Sequence, residues 1–581
     1  MKLRVWPAVL AAIAIAAIAF VLRFNALGGS LGGFDNDHFI YLVRTDAVLA
    51  GEQPLRDFVD AELRGAWPAL TYEVSAWAQQ IGGRTLLPEA YLTAGLIAVA
   101  HATVFLLALA LSKQWSIALL AAAVAIAKMP KLYNYPKVLA LVAGAWALRA
   151  VALKPSVMRL TLAAIATAVA VLFRHDLGAY VAAGVLGALV VRDIGRWQAA
   201  IRNVAIYMGL TTLCLVPSLI WIQTYGGVVQ YVQNGAANVQ VEQARTNLRL
   251  PSFDPAAPFA LPNLELVTYY AFWAVPVVAL AAIGALLLRR GVTSMPHDRG
   301  IAVGLLLMTL LANTSFLRAN LAERFGDAAP AVVLLAAWVA GTAVMWRVTV
   351  MRRVVVLVPA VLLTIMLGAS YVFSDIAREL ETTGLSDSWG ATVRRYGAVR
   401  AQLSRMPPAV WTDANAQGTL AAARFLAECT APSDRVLVIG PVHEILVFAR
   451  RRFAAGQAMF KLSLYTSEEY QRRALARLQR ESVPIVIAEA AEFGEFEALY
   501  PLIGAHVREN YREAGSIAVS DDRQLRVFVT ASGLSAAFTD RCTDIWSRAV
   551  QWRLPDDRLY RRLPPQSVDL RHREIQQHSG A

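Results

Sequence analysis

The sequence predicts a polytopic α-helical membrane protein with a C-terminal α/β domain outside the bilayer. Three observations predict it. The 581 residues are 57% hydrophobic and 17% charged, with mean hydropathy +0.46; an ordinary soluble domain carries about 25% charge. Apolar runs of roughly 17–24 residues recur, and ~20 helical residues cross a ~30 Å hydrocarbon core. After residue 373 those runs stop and segments of globular composition follow.

About eleven spans are read from the runs, at 4–22, 91–111, 115–129, 137–153, 158–174, 177–192, 203–224, 266–288, 300–317, 328–346 and 353–373. The third and sixth are short and need tilt or partial burial. The first begins like a signal peptide, Met1-Lys2-Leu3-Arg4, but it is long and ends in Val21-Leu22-Arg23-Phe24. It lacks a small-x-small cleavage site, so it reads as a span.

Charge sets the orientation. One set of alternate loops holds Lys2 and Arg4; Lys113; Arg149, Lys154 and Arg159; Arg192, Arg196 and Arg202; Arg289, Arg290 and Arg299; Arg347, Arg352 and Arg353. These loops hold few acids and are assigned to the cytoplasm by the positive-inside rule. The N-terminus is then inside, and an odd span count puts the C-terminus outside. The net charge of +13 sits largely at the ends of apolar runs, which is a topology signal and excludes a nucleic-acid reading.

The outward set comprises the first loop (about 23–90), the lysine loop 128–137, Arg174-His175-Asp176, the loop at 225–264, and Arg318 through Asp327. Several of these are basic against the orientation rule. Ionisable groups at a membrane boundary are costly, so their retention points to function.

The C-terminal region reads as alternating strand and helix. Arg435–Gly440 and 483–488 are buried strands; Thr466-Ser467-Glu468-Glu469 opens a Ser/Thr-capped helix through Arg480; 516–519 and 525–529 form a hairpin. That alternation predicts a small α/β domain. The domain plan is a membrane module 1–373, an extracytoplasmic domain 374–560 and a polar tail 561–581 expected to be disordered. Cys214 falls in a span, as inert packing; an oxidising compartment permits a disulfide between Cys429 and Cys542. No Walker loop, Gly-x-Ser-x-Gly elbow, dinucleotide fingerprint or zinc spacing occurs.

The outward loops hold the chemistry. Phe34-Asp35-Asn36-Asp37-His38-Phe39-Ile40-Tyr41 follows the first span. An Asp near basic groups stays ionised and serves as general base toward an acceptor hydroxyl or amine. Lys128, Lys131, Lys137, Arg174, Arg318 and Arg324, with His175 and Asp176, are candidates for holding a lipid-borne phosphate, Arg as a fork and Lys as a point charge. An attacking group from water and a leaving phosphate at the lipid boundary define a glycosyl transfer. Blander readings stand beside each. Asp35 and Asp37 suit a helix cap; Arg174-His175-Asp176 suits a helix end before Gly178; the lysine loop suits a solvated turn; Arg318 and Arg324 suit salt bridges between loops. His443-Glu444 and Arg450-Arg451-Arg452 read as a solvated helix face.

Asp37 four residues before Tyr41, then Gly51-x-x-Pro54-x-Arg56-Asp57-Phe58, then Pro68 and Tyr72, resembles the GT-C glycosyltransferase superfamily, in particular the protein O-mannosyltransferase and aminoarabinose transferase type. The segment Asp434–Gly440 and the strand at 483–488 resemble its extracytoplasmic domain. The resemblance implies a polyprenyl-phosphate-sugar donor, a lipid, glycan or protein acceptor, inversion at the anomeric carbon, and Asp37 as base with Asp35 as the alternative. The family often has Asp-Glu where this chain has Asp37-His38. Basic residues of later loops, such as Lys137, Arg174 and Arg324, are implied to hold the donor phosphate. The Asp35-x-Asp37 spacing is similar to metal-binding loops elsewhere in the superfamily and would suit Mn²⁺ or Mg²⁺. The nearer branches generally need no metal, so no cofactor is expected. The implied location is the cytoplasmic membrane, with the active face outside.

Two other functions compete. A transporter or lipid-linked-sugar flippase should show internal repeats and broken spans with charge at mid-membrane; here no repeat is seen and the charges sit at span ends. A structural membrane protein would not need basic outward loops around a carboxylate pair.

Overall fold

The computed structural model describes residues 5–28, 34, 36–59, 67–244, 253–288, 296–317, 321–345, 349–373, 376–407, 414–460, 464–519 and 523–530. A chain crossing lipid must satisfy its backbone internally, which apolar helices do. Among the described residues nine helices are long and apolar enough to cross: Trp6–Asn25, Leu86–Ser112, Leu132–Leu153, His175–Arg192, Trp197–Tyr225, Pro262–Ala285, His297–Phe316, Arg324–Gly341 and Thr349–Tyr371. Two shorter apolar helices, Trp115–Ala127 and Val157–Phe173, complete the set that the sequence predicts. The short helices are therefore the third and fifth, not the third and sixth. His175–Arg192 reaches 18 residues because it begins on the polar His175-Asp176 pair, which a hydropathy reading leaves out.

Burial orders the bundle. In Arg324–Gly341, 89% of the apolar window is buried, so this helix is the centre. An all-round apolar helix fits only there. Trp6–Asn25, Trp197–Tyr225 and Thr349–Tyr371 instead expose apolar side chains such as Leu10, Ile13, Leu213, Ile220, Leu357 and Val361, the surface that a hydrocarbon core would cover. Cys214 is exposed on this surface rather than packed.

The loops separate to two ends of the bundle as the charge pattern predicts. At one end Arg192 Nε donates to Ala152 O (2.7 Å), and Arg192 and Arg196 both pair with Asp193 (2.7 and 2.9 Å). At the other, Arg23 Nη2 donates to Pro130 O (2.5 Å), Thr71 Oγ1 to Phe173 O (3.0 Å) and Asn25 Nδ2 to Thr383 O and Thr392 O (both 3.1 Å). The helices Ile376–Thr383 and Trp389–Leu403 lie against the first span there.

The C-terminal domain sits on that same end. Its sheet has strands β1 (Arg435–Ile439), β2 (Arg452–Phe453), β3 (Ile485–Glu489), β4 (Tyr511–Ala518) and β5 (Gln524–Thr530), ordered β2-β1-β3-β5-β4. β1 is parallel to β2 and β3; β5 is antiparallel to β3 and β4. Both predicted buried strands and the hairpin are present. The helix opened by Thr466-Ser467 runs Glu468–Leu478, but Ser467 makes no side-chain cap bond. Cys542 and the tail 561–581 lie outside the described residues.

Of the charged face expected at His443–Arg452, His443 and Arg451 are buried instead, Glu444 and Arg452 are half-buried, and Arg450 is exposed as expected. His443 Nε2 contacts Ala458 O at 2.8 Å. Arg451 is 6% exposed and donates to Ala427 O (2.8 Å) and Thr430 O (2.7 Å), carbonyls at the end of the helix Ala414–Cys429. Terminal carbonyls lack helical partners, and a guanidinium fork supplies them. Glu52, from the first loop, takes Arg435 and Arg452 (the latter at 2.6 Å), and Val59 N donates to Gly456 O (2.8 Å). These contacts, with Phe39 against Phe448 and Phe58 against Phe453, seat the domain on the first loop.

Burial pushes the Glu444 carboxyl from its ordinary 4.5 up to about 7, with Arg523 opposing and Glu489 adding to the rise. The unfolded chain loses this proton at the lower value and the folded chain keeps it to the higher one. Stability is therefore lost as pH rises between the two. Glu444→Gln is expected to melt with the wild type near pH ~4 and above it near pH ~8, measured by calorimetry; parallel curves at both values would contradict this.

Candidate functional site

Asp37 lies in the first turn of the helix Asn36–Leu49. It is half-buried, and Tyr133 Oη donates to its Oδ2 at 2.9 Å. With 3.6 residues per turn, Asp37, Tyr41 and Arg44 share a helix face. Tyr41 meets Tyr133 edge-on at 5.3 Å and Tyr72 at 6.3 Å, and Arg44 Nη1 donates to Tyr72 Oη at 3.1 Å. An aromatic wall of Tyr41, Tyr72 and Tyr133 thus backs the carboxylate.

His38 points the other way. It is 1% exposed, and its Nε2 lies 3.0 Å from Glu89 Oε1; Glu89 Oε2 accepts from Ser75 Oγ at 2.5 Å. The ring stacks on Phe34 at 4.7 Å and meets Tyr133 edge-on at 6.0 Å. The residue after Asp37 is therefore an anchor into the bundle. Asp35 lies outside the described residues. The Gly51–Phe58 segment is also an anchor. Gly51 turns at φ +86, Gln53 N donates to Asp57 Oδ2 (2.8 Å), Arg56 Nη2 donates to Gly51 O (2.8 Å), and Phe58 is fully buried.

The lysine loop is folded into the site. Lys128 Nζ lies over the Phe325 ring at 5.2 Å and the Phe272 ring at 5.9 Å. Lys131 Nζ lies over Tyr133 at 5.8 Å. Lys137 Nζ pairs with Asp327 Oδ2, which also accepts from Asn134 Nδ2 at 3.3 Å. Gly326 permits this approach, because a Cβ there would stand 2.7 Å from Pro130 Cα and 2.9 Å from Lys128 O. The solvated-turn reading of this loop does not hold: Lys128 and Lys137 are both buried.

Arg174 forks onto Asp176 (2.8 and 2.5 Å), and His175 Nε2 meets Tyr231 Oη at 3.1 Å. Arg174 and Arg324 both act electrostatically on Lys137, so these three predicted cations converge. Arg324 makes no hydrogen bond or ion pair to any described residue, and its Nε is buried. Arg318 lies outside the described residues. Tyr133, Asn134, Asp327, Glu89 and Ser75 were not singled out by the sequence. Asp327 carried one local signal, its spacing of three from Arg324; the others carried none. Among the described residues no group of three or more His, Cys, Asp or Glu is placed to hold a metal ion.

Fold and site together define a multi-pass helical membrane protein with a carboxylate and a cation cluster under an α/β domain at one end. Two solved structures are similar over most of the chain. They are ArnT from Cupriavidus metallidurans bound to undecaprenyl phosphate (14% identity, TM-score 0.48, covering 91% of this chain and 99% of that one) and the same protein in the apo state (15%, 0.47, 90% and 99%). No protein-family model and no curated protein matches the sequence.

Removing Glu89 would strand buried partners. Glu89→Ala is expected to cost about 1–3 kcal/mol, read as a lowered Tm in detergent, with Glu89→Gln closer to wild type. An unchanged Tm in the alanine variant would contradict the anchor.

Proposed function

We propose that this chain is an integral-membrane glycosyltransferase of the GT-C kind, moving a sugar from a polyprenyl-phosphate donor to an acceptor outside the cytoplasm. The observation that carries the reading is a half-buried Asp37, held by Tyr133, on the same loop system as the Lys137–Arg174–Arg324 cluster. A base and an anion site at one membrane boundary are what attack on a lipid-phosphate sugar requires.

Asp37 takes the proton from the acceptor hydroxyl as its oxygen bonds to the anomeric carbon. The carbon–oxygen bond to phosphate breaks with inversion, and the phosphate leaves with the electron pair. Arg324 is the cation best placed to receive that phosphate, since Lys137 and Arg174 are already engaged by Asp327 and Asp176. Lys128 and Lys131, which face aromatic rings, add positive field. His175, at the exposed corner with Tyr231, orders the outer wall. The proposed setting is the cytoplasmic membrane, with this end outward.

The mechanism uses no metal. Asp35 and Asp37 remain the residues that would hold one, and unchanged transfer in EDTA is the expected result. The base is tested by transfer from a polyprenyl-phosphate sugar to acceptor by purified protein. Asp37→Asn is expected to lower kcat by about 10²–10⁴; full activity would remove the assignment. Arg324→Ala is expected to raise the donor KM by about tenfold or more, as loss of a charge-assisted bond does. An unchanged KM would move the phosphate elsewhere. Movement of intact donor across vesicles without bond cleavage would favour the flippase reading.

A further inference from the structure

Asp327 is buried but only half satisfied. It is 5% exposed. Its Oδ2 accepts from Lys137 and Asn134, while its Oδ1 is buried and meets no hydrogen-bond donor among the described residues. Asn134, 2% exposed, donates through Nδ2 but its Oδ1 has no partner among those residues either. Arg324, three residues before Asp327 on the same helix face, leaves Nε buried and without a partner among them. Two facing helix ends therefore present two acceptors and one donor, all beside the cation cluster.

Buried polar atoms are nearly always bonded to protein, water or ligand. The chemistry of these three selects what could fill them. An ionised carboxylate only accepts. A phosphate also only accepts, and Asp327 would repel it. An ammonium would satisfy the acceptors but be repelled by Lys137 and Arg324, and it offers nothing to Arg324 Nε. A hydroxyl both donates and accepts, so neighbouring hydroxyls on a ring meet all three requirements.

We propose that Asp327 and Asn134 accept hydrogen bonds from hydroxyls of the donor's sugar, forming a specificity-determining subsite next to the phosphate cations. This rests on the glycosyltransferase reading and names how its donor is chosen. Lys137 orients Asp327; Arg324 bridges the sugar and phosphate ends of the site.

The test is a cycle between residue and ligand. A set of polyprenyl-phosphate sugars, each lacking one ring hydroxyl, is assayed with wild type, Asp327→Asn, Asn134→Ala and Lys137→Met. Wild type is expected to lose about 10- to 100-fold in kcat/KM with at least one deoxy donor, the range for a hydrogen bond to a charged group. For that donor Asp327→Asn or Asn134→Ala should lose little more than each already has, because the partner is gone. Lys137→Met should lower activity yet still discriminate between the parent and deoxy donors. Equal losses in wild type and both subsite variants for every deoxy donor would overturn the subsite and leave Asp327 as a water-bound partner of Lys137. Donor binding, read as a thermal shift of the full chain, separates this from the reading it rests on. A protein that binds parent donor better than deoxy donor but transfers neither keeps the subsite and loses the transferase. A wild type shifted by no donor overturns both.

Discussion

Tyr133 donates to Asp37 from the loop that also carries Lys137, and through that contact the two charge systems at this end of the bundle become one site. The carboxylate comes from the first loop and the cations from later ones, far apart in sequence. Tyr133 spans them because it lies between Lys131 and Asn134, whose own side chains reach its ring and Asp327 respectively. The loop can lie this close only because position 326 is glycine.

Membrane chemistry explains why the charges are paired as they are. At a bilayer boundary, an ion removed from water must recover its hydration from a partner. Lys137 does so with Asp327, Arg174 with Asp176, and Lys128 through aromatic faces. Pairing neutralises most of the cluster while preserving the geometry of its donors. The residue left with capacity, Arg324, is also the one on the central helix. A phosphate bound there would be held by the most buried span among the described residues.

The C-terminal domain is part of the same arrangement. Its Arg435 and Arg452 clasp Glu52, and its Phe448 and Phe453 pack on Phe39 and Phe58. The helix bearing Asp37 is thereby held between the bundle, through His38 and Glu89, and the sheet domain above it. The eleven apolar runs and the main strands were legible in the sequence because hydropathy and alternation are local properties. The two-residue strand Arg452–Phe453 was not, since nothing in an arginine run signals a sheet edge. Arg451 and His443 look solvated in the sequence because their partners are backbone carbonyls, which carry no sequence signature. Convergence of Lys137, Arg174 and Arg324 followed from topology; the roles of Asn134, Asp327 and Glu89 arise from contacts across 51 to 193 residues of chain.

In the proposed reaction Asp37 and Arg324 bracket one lipid-linked sugar. A structure of the protein with a non-cleavable polyprenyl-phosphonate sugar tests it most directly. The phosphonate is expected on the Arg324 guanidinium, with the anomeric carbon turned toward Asp37. A phosphonate seated at the Arg192–Arg196 end of the bundle, or a sugar turned away from Asp37, would contradict it.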